Sequence, residues 1–97
     1  MYARPLPRHP RRLRVLVADD HPFIRKAVRT TLERHPHFEV CAEAENGALA
    51  VRMANEFKPD VVVLDINMPF LNGFEAARQI KKEVPQIAVV ILSSNVG

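Results

Sequence analysis

Acidic and hydroxyl side chains follow three apolar runs of this sequence, each at the point where the run ends. Asp19 and Asp20 follow the first run, Asp65 follows a later one, and Ser93 follows the last. Crowded carboxylates repel one another unless a hard cation lies among them, and Mg²⁺ prefers a few carboxylates with carbonyl and water oxygens. The pattern predicts a magnesium site, although an aspartate at a strand end can also end the strand or cap the next helix.

Asp65 is the candidate for covalent chemistry. It comes directly after the most apolar run, residues 61–64. A carboxylate beside Mg²⁺ can attack phosphorus and form an aspartyl phosphate. The metal and nearby N–H and hydroxyl groups then neutralise the charge on the transferring group. Ser93 is a candidate for such a hydroxyl, but a serine at a strand end can equally bond to backbone.

The apolar runs alternate with amphipathic segments, as in a βαβαβαβ chain. Runs that are apolar at every position indicate strands covered on both faces, as in a parallel sheet. Crossovers of this kind predict an open parallel α/β sheet whose carboxyl ends share one edge, where ligands bind. The strands are predicted at 13–18, 38–44, 61–64 and 87–92, with helical stripes within 24–32, 50–57 and 74–84.

Two patterns make detailed predictions about side-chain placement. Residues 38–44 alternate, so Phe38, Val40, Ala42 and Ala44 are expected on one face of an edge strand. The helical spacing of Phe74, Ala77, Ile80 and Val84 predicts the buried stripe of the third helix, and the same spacing predicts that Met53 and Phe57 lie in the core.

The positive charge is concentrated at the amino terminus. Residues 1–14 hold five of the 14 basic side chains and no acidic ones, which leaves nine basic against 11 acidic residues in the rest. We interpret residues 1–12 as a disordered leader rich in Pro and Arg, with 13–97 as the domain. A patch that binds phosphate or anionic lipid is the alternative for the leader. The mildly acidic domain does not indicate a nucleic-acid-binding surface.

Other features bear on the compartment. The sequence has no apolar run of about 20 residues and no apolar segment after the basic start, so neither a membrane span nor a secretory signal is predicted. Cys41 is the one cysteine, which excludes an internal disulfide and favours a reducing, cytoplasmic location. We expect this thiol to be partly buried and inert.

The sequence resembles the receiver domain of two-component response regulators over residues 13–97. The resemblance rests on four segments. They are residues 15–22, in which the acidic pair is followed by His-Pro, residues 59–65, the Asp-Ile-Asn-Met-Pro segment of residues 65–69 with Gly73, and residues 89–93. Residues 43–47 and the Asp-His-Pro sequence are more similar to the NarL/FixJ subfamily. The resemblance implies a flavodoxin-like fold.

The resemblance also implies roles for individual residues. Asp65 is implied as the phosphoacceptor for a sensor histidine kinase, and Ser93 as the switch hydroxyl. Asp20 and Asp65 are implied to bind Mg²⁺ through their carboxylates, Asn67 through its backbone carbonyl, and Asp19 indirectly through water. Such a domain assists its own phosphorylation without being a classified enzyme, and it controls transcription through a DNA-binding domain that these residues do not contain.

His21 has two interpretations. It lies beside the acidic pair and could be a metal ligand, but the sequence favours a solvated loop histidine before Pro22.

The sequence departs from the receiver pattern at its carboxyl end. Receivers have five strands and five helices, with a Lys after the fifth strand that pairs with the phosphoryl group. The sequence ends after the fourth strand, and Lys81 and Lys82 fall on the third helix instead. We therefore expect a C-terminally truncated domain that is phosphorylated slowly and self-associates through its fourth strand.

Two other functions compete with a working receiver. One is a truncated receiver that docks other proteins without effective phosphorylation. The other is a phosphatase of the haloacid dehalogenase class, which also uses an aspartate nucleophile. That class requires an acidic residue two positions after the nucleophile, and Asn67 stands there.

Overall fold

A computed structural model describes residues 12–93 as four strands and three helices in strict alternation. The predicted leader, apart from Arg12, and residues 94–97 lie outside the described residues. The strands are β1 (Leu13–Ala18), β2 (Phe38–Ala44), β3 (Val61–Asp65) and β4 (Ala88–Leu92). The helices are α1 (Pro22–Glu33), α2 (Gly47–Phe57) and α3 (Gly73–Glu83).

The four strands form one parallel sheet in the order β2-β1-β3-β4. The sheet has the predicted open α/β architecture of a flavodoxin-like fold, and β2 lies at an edge as expected. Strand order reverses between β1 and β3, which creates a crevice at the carboxyl ends of these two strands. Asp65 is the last residue of β3 because it still pairs with Leu92 of β4.

The predicted alternation in β2 is wrong at Cys41. Val40 pairs with Val15 and Ala42 pairs with the next residue, Leu16, so the register shifts by one at Cys41, as in a β-bulge. Val40 and Ala42 therefore face opposite sides of the sheet. The simple two-residue period fails because the bulge inserts one residue.

One face of the sheet carries the main core. Helices α2 and α3 pack there, and the cluster draws on all four strands and on the loop after β3. The third helix buries Ala76 and Ile80, followed by Val84, and leaves Phe74 60% exposed, so the prediction that Phe74 is buried is wrong. The central members of the cluster are Leu16, Val62, Leu64, Ala50, Ala54, Ile80 and Ile87.

The residues that the structure describes cover the other face only partly. Helix α1 packs on β1 and β2, while β4 on that face stays open, with Val90 44% and Leu92 42% exposed. No residue of α1 is fully buried. Met53 is partly buried and packs against the core, whereas Phe57 is exposed. The prediction that both residues lie in the core is therefore correct only for Met53.

The helices of residues 12–93 are short. The longest is α1 with 12 residues, and none in that range combines the length and apolar character that a membrane span requires.

Candidate functional site

The carboxyl ends of β1 and β3 bring four metal-ligating side chains together. Ala18 pairs with Leu64, so the residues that follow them, Asp19 and Asp65, are neighbours across the sheet. One ligand atom from each of Asp19, Asp20, His21 and Asp65 lies within 4.8 Å of the others. The predicted convergence of residues 46 positions apart in the chain is therefore present.

Two of the three carboxylates are buried. Asp19 is 5% exposed and Asp65 is 2% exposed, while Asp20 is half-buried. Burial of a charged carboxylate carries a large desolvation cost unless opposite charge or hydrogen bonds offset it. Apolar strands supply this burial, because β1 and β3 are covered by helices on the face of the main core.

Local backbone contacts hold Asp19 in place. Its N–H donates to Ala44 O at 3.0 Å, and its Oδ1 accepts from the N–H of His21 at 2.8 Å. Its carbonyl oxygen accepts from Nη1 of Arg25 at 2.7 Å. The helix cap of α1 is His21, so neither aspartate of the pair caps this helix.

The β3–α3 loop is clamped to the end of β3. The N–H of Ile66 donates to Leu92 O at 3.1 Å, and the N–H of Gly73 donates to Ile66 O at 2.8 Å. A Cβ on Gly73 would lie 2.4 Å from the backbone oxygen of Asp65, so glycine alone permits this close approach. Met68 anchors the loop in the core, which leaves the exposed Asn67 at the mouth of the crevice.

A tight turn continues this loop. The N–H of Leu71 donates to Pro69 O at 2.8 Å, and Phe70 between them has a φ of 71°. This is a γ-turn with a positive φ at its centre, a strained conformation for a residue with a side chain. The backbone oxygen of Leu71 then sits against Gly47, where a Cβ would lie 1.8 Å away.

Ser93 lies at the same edge of the sheet as the acidic cluster. It directly follows Leu92, the partner of Asp65 in the β3–β4 ladder, and it is exposed. This position agrees with the predicted neighbourhood of the two residues.

His21 is exposed and lies in the loop before Pro22, in line with its favoured interpretation as a solvated loop residue. Its side chain is 56% exposed, yet Nδ1 lies 3.0 Å from Asp20 Oδ1 and 3.2 Å from Asp19 Oδ1. The sequence signal for this contact was its adjacency to the acidic pair.

Two other residues were missed by sequence reasoning. Arg25, one turn into α1, joins Glu43 at 3.0 Å in addition to its bond to Asp19, and nothing in the spacing indicated this. Phe70 carries no sequence signal for a positive φ, because that conformation is usually occupied by glycine, asparagine or aspartate.

The donor set fits a hard divalent cation. Oxygens on opposite sides of a magnesium ion are about 4.2 Å apart, and those on adjacent positions about 3 Å apart, from bond lengths of about 2.1 Å. The 4.8 Å span of the cluster is close to these separations, so its carboxylate oxygens could supply part of an octahedral set, with carbonyl and water oxygens as the remaining ligands. The carboxylates of this cluster would hold Mg²⁺ by this chemistry, Asp20 and Asp65 directly and Asp19 through water.

Known proteins are similar to this chain in both sequence and fold. The model of the response regulator receiver domain family matches residues 15–97. The transcriptional regulatory protein DegU of Brevibacillus brevis is 39% identical over 82 residues, covering 84% of this chain and 35% of DegU. A protein-glutamate methylesterase/protein-glutamine glutaminase of Pyrococcus abyssi is 43% identical over 84 residues, covering 87% of this chain and 23% of that protein.

Among solved structures, the receiver domain of the putative response regulator NarL from Mycobacterium tuberculosis superposes with a TM-score of 0.85 at 32% identity. That superposition covers 91% of this chain and 71% of the NarL receiver. The chain therefore spans about a third or less of the two curated relatives and most of an isolated receiver. The chain belongs to the response regulator receiver domain family, the receiver domains of two-component systems.

Proposed function

We propose that this receiver accepts a phosphoryl group on Asp65 from the phosphohistidine of a sensor histidine kinase, with Mg²⁺ as cofactor. The observation that carries the proposal is the convergence of three carboxylates from the ends of two strands within 4.8 Å, one of which, Asp65, is 2% exposed. A buried cluster of like charges is unfavourable by itself, so a bound cation is the natural counterpart.

The transfer is an in-line displacement on phosphorus. A carboxylate oxygen of Asp65 forms the new P–O bond while the P–N bond of the phosphohistidine breaks. The electron pair stays on the kinase imidazole nitrogen, which takes up a proton. Magnesium, when bound, supplies the positive charge that offsets the charge on the transferring oxygens.

We assign the remaining site residues to supporting roles. Asp20 and Asp65 hold the metal through carboxylate oxygens, with Asn67 contributing its backbone carbonyl. Asp19 acts indirectly, through water and by fixing the turn at His21 with its 2.8 Å bond. Ser93 donates its hydroxyl to the phosphoryl group from the end of the neighbouring strand.

The output of the proposed phosphorylation is control of transcription through an attached DNA-binding domain. Support comes from DegU, a transcriptional regulatory protein of which this chain spans 35%. The methylesterase relative shows that receivers of this sequence type also occur in proteins with enzyme names. The receiver itself is proposed to be a phosphoacceptor and not an enzyme.

A docking module without effective phosphorylation is the second candidate. It is favoured by the open face of β4, where Val90 and Leu92 are exposed, and by the groove between that strand and α1. Exposed apolar strands of this kind pair with other chains. On this proposal the chain docks a kinase or another regulator, and β4 is also the proposed surface for self-association.

One experiment separates the two functions. The chain is incubated with a small phosphodonor and Mg²⁺ and weighed by intact mass spectrometry, with circular dichroism to establish that the sample is folded. A phosphate adduct that disappears in Asp65→Asn and on removal of Mg²⁺ supports the phosphoacceptor. A folded sample without an adduct contradicts it and favours the docking module. Glu75→Gln, an exposed acidic change on α3, is the matched control and should keep the adduct.

A further inference from the structure

Arg25 connects the turn that carries the acidic pair to the edge strand β2. Its Nη1 donates to the carbonyl oxygen of Asp19 at 2.7 Å, and its Nε donates to Glu43 Oε1 at 3.0 Å. The side chains of Arg25 and Glu43 are 20% and 28% exposed, so solvent and salt screen this ion pair less than a fully exposed one. Because the guanidinium is planar and presents its donors in a fixed geometry, it holds its two acceptors in one arrangement.

These contacts close a ring of hydrogen bonds around Asp19. The N–H of Asp19 donates to Ala44 O at 3.0 Å, and Ala44 follows Glu43 directly in β2. Both backbone polar groups of Asp19 are therefore held by β2, the N–H directly and the carbonyl oxygen through Arg25. No side chain of β2 belongs to the acidic cluster, so the ring acts on the cluster from outside it.

The carbonyl oxygen that Arg25 binds belongs to the peptide group between Asp19 and Asp20. A peptide group is planar, so fixing its oxygen also fixes its N–H and the direction in which the chain continues to the next Cα. The side chain of Asp20 branches from that Cα, and its carboxylate lies in one cluster with that of Asp65. The contact between Arg25 and Asp19 therefore sets how the carboxylates of the two strand ends approach each other.

We propose that Arg25 is a positioning residue for the metal site, which orients the peptide group between Asp19 and Asp20 so that Asp20 and Asp65 bind the same Mg²⁺. Arg25 is not itself a ligand and acts through the backbone of Asp19. Removal of a group that orients metal ligands typically lowers metal affinity by about 10- to 100-fold. This inference rests on the proposed function and adds to it a residue outside the acidic cluster.

The sign of the effect separates positioning from simple electrostatics. Arg25 is a cation near a cation site, so the loss of its charge alone would strengthen Mg²⁺ binding. The loss of its hydrogen bond to the turn would weaken Mg²⁺ binding instead. Arg29 is the matched control, because it lies on the same helix and its side-chain hydrogen bonds within residues 12–93 are to Glu43 and Glu33.

NMR titration with Mg²⁺ tests the assignment on the wild type, Arg25→Met, Arg25→Lys and Arg29→Met, with urea denaturation to establish that each chain is folded. Mg²⁺ affinity should fall by about tenfold in Arg25→Met. It should also fall in Arg25→Lys, which keeps the charge but lacks the planar fork, and this variant decides the test if Arg25→Met does not fold. Arg29→Met should stay within about twofold of the wild type, because an exposed ion pair contributes little.

The backbone amide of Asp20 supplies a second readout, in the chain without Mg²⁺. Its N–H shares the peptide group that Arg25 binds, so its NMR signal should move in both Arg25 variants and stay in place in Arg29→Met. A folded Arg25→Lys chain that binds Mg²⁺ as tightly as the wild type, or an equal loss of affinity in Arg29→Met, would overturn the inference and leave the proposed Mg²⁺ site standing. A folded wild type that binds no Mg²⁺ would overturn the proposed function together with this inference, so the two failures are distinguishable.

Discussion

Gly73 shows at the scale of one residue how the site is built. Because Gly73 has no side chain, α3 can begin against the backbone of Asp65. A Cβ on Gly73 would lie 2.4 Å from the backbone oxygen of Asp65. The same device recurs at Gly47, which lies against the loop at Leu71. Two backbone segments can approach this closely only where no Cβ intervenes.

Replacing Gly73 by Ala should therefore destabilise the domain. The added methyl group meets backbone atoms, which cannot move aside as a flexible side chain can, and we expect a loss of about 1–3 kcal/mol in the free energy of unfolding. Urea denaturation measures the change. Arg78→Ala, an exposed change on the same helix, should alter it by less than about 0.5 kcal/mol. A Gly73→Ala chain as stable as this control would contradict the packing argument.

Cys41 sits at the bulge of β2, and burial raises the pKa of its thiol above the ordinary value of 9.0, against the opposing charge of Arg14. The folded state therefore keeps this proton at pH values where the unfolded chain begins to lose it. The contribution of the thiol to stability is complete below the unfolded pKa and is lost as the pH rises through the folded pKa.

The difference in unfolding free energy between the wild type and Cys41→Ala should accordingly fall as the pH rises from about 8 to 10. Urea titrations of both chains at several pH values measure this difference, in which groups common to both chains cancel. A difference that grows with pH would show that the thiolate is favoured in the fold.

At the scale of elements, the sequence predicts type and order well and side-chain detail less well. All four strands and three helices lie where hydrophobic periodicity placed them, because helices and strands differ in period. The failures have local causes. The bulge at Cys41 changes which face of the sheet the side chains of β2 point to. Phe74 lies on the apolar stripe of α3, but no other part of the described chain covers it.

In the candidate site, too, the general position of the residues was predictable, whereas the side-chain contacts were not all predictable. The convergence of Asp19, Asp20 and Asp65 was predictable because parallel strands share a carboxyl edge. The contacts of Arg25 were not, because they depend on its rotamer and on the exact turn between β1 and α1. No periodicity in a sequence encodes those features.

The start of α3 offers a test at this scale. The side chain of Asn72 accepts from the N–H of Glu75 at 3.0 Å and caps the helix that holds the β3–α3 loop. Asn72→Ala should lower the free energy of unfolding by about 1 kcal/mol, whereas Asn72→Asp should retain most of it, because aspartate caps equally well. Thermal denaturation compares the two. Equal losses in both variants would show that the cap is not the source of the effect.

At the scale of the whole molecule, residues 12–93 form a sheet with one covered and one half-covered face. Helices α2 and α3 bury the main core, while α1 leaves β4 open on the opposite side. Within residues 12–93, β4 also has a hydrogen-bonded neighbour on one side only. An apolar edge of this kind is the surface on which the proposed self-association depends.

Val90→Lys should reduce that association. A lysine on an exposed strand position near the edge opposes pairing with a second strand, through charge repulsion and desolvation. Analytical ultracentrifugation should show a concentration-dependent dimer or larger species for the wild type and a shift to monomer for Val90→Lys. Gln86→Lys adds the same charge just before β4 and should leave the association unchanged. A wild-type chain that sediments as a folded monomer at high concentration would contradict the proposal.

The central claim is that Asp65 becomes phosphorylated with Mg²⁺ held in the acidic cluster. Borohydride reduction converts an aspartyl phosphate into homoserine, which peptide mass spectrometry locates in the chain. After treatment with a small phosphodonor, we expect homoserine at position 65 in the presence of Mg²⁺ and none after chelation. Homoserine at position 19 or 20, or at no position in a folded sample, would contradict it.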